Sequence, residues 1–186
     1  MFDIRSARDL LDKLEADFAD YANESDSARL ALNCSITAFH LHEWVWGDWL
    51  KSDRETRDAL GIQSPKEFLQ WIDKTCVWFP TIQALTNGTK HFGRPKGFDG
   101  IRVSRMPFMF DTPNAGFDQG CWDGPEPYVT GEDSYLLIDY GSEAGEHRWY
   151  PVAALLEAVV RFWRKFFALY APTQQREGIA DSGVQL

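Results

Sequence analysis

The sequence predicts an α+β protein that is mainly helical, a bundle of four main helices with a small antiparallel β-sheet inserted before the last helix. Two observations carry this prediction. Most of the chain repeats apolar residues at three- and four-residue spacing, as amphipathic helices do. Between about residues 100 and 150 the pattern changes to short strand-like runs, separated by turns rich in Gly and Pro.

The first two helices are predicted over about Ser6–Tyr21 and Ala28–Leu50. The first has a single apolar stripe, whereas the second is apolar on most sides, as a central helix would be. The polar residues of the second helix fall in one sector, which must face solvent, a partner or hydrogen-bonding groups. This polar stripe consists of Asn33, Thr37, His40 and Gly47, with Glu43 and Asp48 at its flanks.

The third helix has the clearest start signal in the chain. Ser64–Glu67 reads as a capping box with Pro65 at the first helical position. We expect Pro80 to end or kink this helix, and a short helix over about Thr81–Thr86 to follow. The Asn-Gly pair at 87–88 is then expected to stop the helix, with the glycine in a left-handed conformation.

Three strands and a final helix complete the predicted domain. The strands are expected over 100–110 and 134–140 and within 146–152, and a long loop over 111–133 joins the first two. The final helix is expected from Pro151 to about Tyr170. The sequence therefore predicts one domain over 1–170, with the β insertion at about 100–150. A flexible C-terminal tail is expected over 171–186, because these residues lack periodicity.

Composition limits the compartment and the class of partner. The net charge of −9 disfavours indiscriminate binding to nucleic acid or to an anionic membrane. The three cysteines are widely spaced and form no CxxC pair, which favours a reducing cytosol over a disulfide framework. No stretch is apolar enough to span a bilayer. We therefore expect a cytoplasmic protein without a membrane partner.

One segment departs from this acidic character. Lys90–Arg105 contains five positive residues and one negative residue, and His91 stands beside Lys90. We expect His91 and Lys90 as catalytic residues and Asn87 and Arg94 as ligand-binding residues. The cations would hold a phosphate group, and the histidine would act as general acid or base. The alternative is a plain helix end, at which Lys90 and His91 complement the negative pole of the helix.

His40 and Glu43, one turn apart on the second helix, form another candidate ligand-binding pair. This spacing can supply two metal ligands, but the other helices lack the matching Glu-x-x-His pattern, so we expect no metal. The alternative is a buried histidine hydrogen-bonded to a neighbour. No cofactor motif is present, so we expect no cofactor. We also expect the turn at 87–91 to face the polar stripe, with His91 near His40 or Glu43.

Three segments carry a resemblance to known proteins: LNCSITAFHLHEWVWGDWL at 32–50, NGTKHF at 87–92, and a hairpin leading into AALLEAVVRFWRKFF at 153–167. In these segments the chain resembles a group of uncharacterised bacterial and phage-type helical proteins, over about residues 28–168. More distantly, its layout is similar to that of HEPN domains. These are helical bundles, and many of them are RNA-cleaving toxins or defence effectors.

The HEPN resemblance implies a metal-independent ribonuclease, in which an arginine stabilises phosphate charge and a histidine transfers protons. His91 would take the histidine's place, and Lys90 or Arg94 would supply the positive charge. The first hypothesis is therefore a HEPN-like module that acts on nucleic acid or nucleotides, with RNA or another phosphate-bearing ligand as partner. The second is a non-catalytic helical interaction protein, dimerising or inhibitory, whose partner is a second copy or another bacterial or phage protein.

Overall fold

A computed structural model describes residues 4–90, 102–110, 128–140 and 149–176. Its helices are α1 Ala7–Asn23, α2 Ala28–Val45, α3 Arg54–Leu60, α4 Pro65–Thr75, α5 Phe79–Lys90, α6 Val152–Tyr170 and α7 Thr173–Arg176, with a π-helical turn at Trp46–Leu50. Its strands are β1 Arg102–Phe110, β2 Tyr128–Asp139 and β3 Trp149–Pro151. The mainly helical α+β class, with an antiparallel sheet before α6, is confirmed.

α1 begins at a reciprocal cap. The Ser6 hydroxyl accepts from the Asp9 backbone N–H at 3.1 Å, and the Asp9 carboxylate accepts from the Ser6 N–H at 2.9 Å. This arrangement satisfies backbone donors that the first turn of a helix leaves open. The helix then buries one apolar face against α2 and α6. Its bounds lie within two residues of those that the apolar stripe predicts.

α2 is the central helix of the bundle, since α1, α5 and α6 all pack against it. The fully buried Trp163 of α6 donates from its indole N–H to the Ala38 carbonyl of α2 at 3.0 Å. At its end α2 widens into the π-helical turn, where the Lys51 N–H bonds to the Trp46 carbonyl, five residues back, at 3.0 Å. The predicted helix over 28–50 is therefore one continuous path with a wider last turn.

Large aromatic side chains fill the space between α4, α6 and the π-helical turn. The ring of Phe166 lies 5.5 Å from that of Phe68, 5.7 Å from that of Trp71 and 6.0 Å from that of Trp49, measured between centroids. Ring pairs at such separations add to the stabilisation that burial already provides. The high content of Trp and Phe thus appears in the structure as one aromatic cluster between helices.

The third predicted helix ends before Pro80, and the short helix expected after it is longer than predicted. α4 ends at Thr75, and Pro80 is the second residue of α5, where its missing N–H is not required. The helix stop expected at 87–88 is wrong, because α5 continues to Lys90. A glycine inside a helix costs about 1 kcal/mol relative to alanine. Packing offsets this cost, since Phe79 and Ile82 of the same helix are fully buried.

Two further short helices lie outside the sequence prediction. α3 buries none of its residues, so it has no apolar stripe to reveal it. Its ends are nevertheless marked, by an Asp53 side chain that caps the first turn and by Gly61 in the left-handed region at φ 69°. α7 lies within the predicted tail, directly after the fully buried Ala171.

The sheet has the strand order β1-β2-β3, and both pairings are antiparallel. β2 begins at Tyr128, so the loop predicted over 111–133 is too long at its C-terminal end. Leu136 and Ile138 of β2 join the helical core. Thr81 of α5 and Tyr140, just after β2, share a hydrogen bond of 2.9 Å between their hydroxyls. The sheet is thus attached to α5 as well as to α6.

We predict that Phe166→Ala lowers the free energy of unfolding by about 3–5 kcal/mol, the usual cost of truncating a buried Phe. Phe166 is 2% exposed and lies at the centre of the aromatic cluster. Leu169→Ala is the matched control on the same helix, because Leu169 is 53% exposed. Urea denaturation followed by circular dichroism measures both. Equal losses in the two variants would contradict the packing described here.

Candidate functional site

The first half of the polar stripe faces α1. Thr37, which is buried, accepts a hydrogen bond from Lys13 Nζ at 2.8 Å, and its hydroxyl lies 2.8 Å from Asp17 Oδ2, to which it can donate. Lys13 and Asp17 also form an ion pair on the surface of α1. Hydrogen-bonding groups inside the fold therefore satisfy this part of the stripe, one of the three outcomes that a polar sector on a central helix allows.

α5 packs against a different face of α2. The ring of Phe79 lies 5.9 Å from that of Phe39 and 6.2 Å from that of His42, between centroids, and Thr86 donates to the Ser35 carbonyl at 3.3 Å. The contacts described for α5 are thus with this other face of α2. His91 lies outside the described residues, so its expected place near His40 or Glu43, with the turn at 87–91 facing the polar stripe, stays a prediction. The apolar face of α5 packs against the apolar side of α2.

The predicted site residues have different outcomes. His91 and Arg94 lie outside the described residues, and Lys90 is placed only as the last residue of α5. Asn87 is half-buried on α5. Their proposed roles in catalysis and in ligand binding therefore stay predictions.

His40 and Glu43 do meet. His40 Nδ1 lies 3.0 Å from Glu43 Oε2, on the exposed side of α2. Within the described ranges, no cluster of three or more His, Cys, Asp or Glu side chains is arranged to hold a metal ion. His40 is thus hydrogen-bonded to a neighbour, as the alternative interpretation expects, but it is half-buried and not buried.

The second half of the polar stripe opens into a shallow groove of about 350 Å³ between the start of α1 and the end of α2. We call it the Trp44 groove. All its lining residues are exposed, and the Trp44 side chain is 37% exposed. The lining consists of Arg5, Glu43, Trp44, Gly47 and Asp48.

The Asp48 carboxylate is hydrogen-bonded to both α1 and α7 at the end of this groove. Asp48 Oδ2 accepts from the backbone N–H of Ala7 at 2.8 Å and from Gln175 Nε2 at 2.9 Å. The first bond is an additional cap on α1, where a negative charge is favourable. The second brings α7 to the same carboxylate. Asp48 can reach both because the π-helical turn carries it out of the regular α-helical path.

Some residues of this groove are predicted from the sequence and others are not. Glu43, Gly47 and Asp48 belong to the predicted polar stripe or its flanks. Trp44 also falls within that sector at 100° per residue, and an aromatic residue among polar ones on a central helix is a signal that could have identified it. Arg5 carries no such signal, because its place depends on how α1 docks.

His42, on the α5 side of α2, is buried at 7% exposure. Its Nδ1 contacts the carbonyl of Phe39, so Nδ1 carries the proton. Burial lowers the pKa of His42 below 6.5, although the bond to Phe39 and the carboxylates of Glu43 and Asp73 act in the opposite direction. Asp73 of α4 is its charged neighbour across the helix interface. These groups surround a histidine that is held neutral.

The two thiols in the described part of the chain are inert. Cys34 is fully buried, and burial raises its pKa to about 12. Burial also raises the pKa of the Cys76 thiol. The thiolate is the nucleophilic form, so neither side chain is activated for nucleophilic catalysis.

Comparison of the chain with protein-family models, with curated proteins and with solved structures gives no match. Among the helices of the described ranges, none combines the length and apolar character that a bilayer span requires. The function is therefore inferred from the geometry of this chain alone.

We predict that His42 makes stability fall in mild acid. Its folded-state pKa is below 6.5, so its contribution is complete above that pH and is lost as the pH falls from 6.5 through the folded-state value. His42→Phe removes the titrating group and suits the aromatic pair around it. Urea unfolding between about pH 5 and pH 8 should give a steeper acid loss for the wild type than for His42→Phe. Parallel curves would contradict this account.

We predict that Asp73→Asn stabilises the protein at neutral pH. Burial raises the pKa of Asp73 above 3.8, and its Oδ1 atom is buried without a hydrogen-bond partner among the described residues. The charged form is therefore disfavoured by folding, and the advantage of the variant should shrink as the pH falls through the raised pKa. Asp20→Asn, at an exposed position, is the control and should be nearly neutral. A destabilised Asp73→Asn protein at pH 7 would refute the argument.

Proposed function

We propose that the protein is a non-catalytic helical interaction module, which binds another protein through the Trp44 groove. The observation that carries this proposal is the exposure of Trp44 in a groove that also contains an arginine. Trp and Arg are the residues most enriched among those that dominate binding energy in protein interfaces. Val77 and Leu169 are the other large apolar residues exposed in the described part of the chain, and neither lines this groove.

The groove is also preorganised. On the α1 side, the Ser6 cap and the bond from Ala7 to Asp48 fix the first turn of the helix. On the α2 side, the hydrogen bonds of Thr37 attach the same two helices one to two turns further along. A surface that is already ordered loses less entropy on binding, so more of the contact energy appears as affinity.

The polar chemistry of the described residues supports a binding function over catalysis. The thiols are buried with raised pKa values, and His42 is enclosed in the core. The exposed His40 is paired with Glu43. An activated nucleophile needs a base within hydrogen-bond reach, and these residues do not provide that arrangement among themselves.

A second candidate function is action on RNA or a phosphate-bearing ligand, as the HEPN resemblance implies. The basic run from Lys90 to Arg105 favours it, because five cations in an acidic chain of net charge −9 form a local anion-attracting segment. In this candidate His91 transfers protons, and Lys90 or Arg94 stabilises phosphate charge.

Site-specific photo-crosslinking in cells of the source organism tests the proposed function. p-Benzoylphenylalanine at position 44 should form a discrete protein adduct, whereas the same residue at position 77, which is 74% exposed and outside the groove, should not. The adduct is identified by mass spectrometry, and the purified pair is then measured by calorimetry. Trp44→Ala should weaken binding at least tenfold, since truncating a dominant interface residue costs about 2 kcal/mol or more.

Two results would overturn the proposed function. The first is equal affinity of wild type and Trp44→Ala for the purified partner. The second is cleavage of RNA by the purified protein that His91→Ala abolishes while Trp44→Ala leaves it intact, which would favour the second candidate. An adduct between two copies of the chain, with a matching dimer in sedimentation, would identify the partner as a second copy.

A further inference from the structure

We infer that the Trp44 groove takes a cationic side chain of a partner polypeptide, an arginine or a lysine, over the Trp44 ring and against the Asp48 carboxylate. The inference rests on the proposed function and specifies the chemistry of its partner. Trp44, in the last turn of α2, and Asp48, in the π-helical turn that follows, both line the groove. An aromatic face beside a carboxylate offers a cation both a cation–π contact and an ion pair.

Gly47 leaves the space that such a side chain needs. It lies between Trp44 and Asp48 in sequence, and a Cβ atom built on it would meet no atom within 4 Å. The groove therefore has a floor of backbone at this point, and a partner side chain can approach the Trp44 ring from the Gly47 side. A glycine within a helical stretch is unfavourable by itself, which is consistent with a role in keeping the groove open.

Charge supports a cation over an anion. The groove contains two carboxylates and one guanidinium, in a chain of net charge −9. Both hydrogen bonds that Asp48 receives come from neutral groups, the Ala7 amide and the Gln175 side chain. Neither donor carries a positive charge, so these two hydrogen bonds do not neutralise the Asp48 carboxylate. Glu43, which also pairs with His40, is the second acidic group of the lining.

Gln175 competes for the same carboxylate, although its side chain is not part of the groove lining. Its side-chain N–H already donates to Asp48 Oδ2 at 2.9 Å, from a helix of four residues near the end of the chain. The carboxylate already makes that bond charge-assisted, and a guanidinium or ammonium donor at the same oxygen would add an ion pair to it. The partner's cation would therefore displace Gln175, and α7 would act as a weak internal competitor.

The test uses the full-length protein, labelled with ¹⁵N, and two end-capped pentapeptides. One has a central arginine, and the other has citrulline, which keeps the shape but has no charge. Binding is followed at the indole N–H signal of Trp44, assigned by its loss in Trp44→Phe. The arginine peptide should shift this signal and bind roughly tenfold more tightly than the citrulline peptide, because only arginine offers a cation–π contact and an ion pair.

Three variants sharpen the test. Asp48→Asn keeps an oxygen acceptor for the Ala7 amide, so α1 stays capped. It should reduce the preference for the arginine peptide to the part that the cation–π contact with Trp44 provides. Gly47→Leu should abolish binding by filling the open space, with a melting temperature close to that of the wild type. Gln175→Ala should tighten binding of the arginine peptide between about two- and tenfold, the range of one net hydrogen bond.

The outcomes separate the inference from the proposed function. Equal binding of the two peptides to the wild type, or shifts confined to residues far from Trp44, would overturn the cationic partner. So would an arginine preference in Asp48→Asn as large as that of the wild type. If the photo-crosslinked partner is nevertheless lost with Trp44→Ala, the proposed function stands and only the chemistry of its partner is wrong.

Discussion

The enclosure of α2 is the constraint on which the rest of the structure depends. α1, α5 and α6 surround this helix, and the Trp163 indole donates to its backbone at Ala38. A helix enclosed in this way can keep polar side chains only along the gap that remains. Its polar stripe follows that gap. The half near Thr37 is closed by Lys13 and Asp17 of α1, and the half near Trp44 stays open as the groove.

The sequence predicts those elements whose signal is local. Periodicity places α1, α2 and α6, and the capping box at Ser64 marks the start of α4. Local signals fail where tertiary packing overrides them. The Asn-Gly pair at 87–88 is a good helix stop by propensity, yet α5 runs through it, since the helix is fixed on α2 by Phe79 and Thr86. Propensity is worth about 1 kcal/mol at such a position, which packing easily exceeds.

The candidate site was predictable only on the helix that carries most of it. The angular position of His40, Gly47 and Asp48 on α2 follows from their spacing. The identity of the opposite wall does not, because it depends on whether α1 or α5 lies beside the stripe. Both helices are amphipathic and both are close in sequence, so no local pattern decides between them. In the structure α1 lies beside the stripe, and Asp48 accepts a hydrogen bond from the Ala7 N–H, 41 residues earlier in the chain.

The π-helical turn also makes the length of one short stretch as important as its composition. A π-helical turn accommodates an extra residue compared with the α-helical turn it replaces. Deleting one residue between Trp46 and Leu50 would therefore allow a regular α-helix whose later residues keep nearly the same phase. The change would fall within the turn, where the carboxylate at position 48 would lose its position beside the Ala7 N–H. The number of residues in this turn therefore matters more for the groove than for the aromatic core.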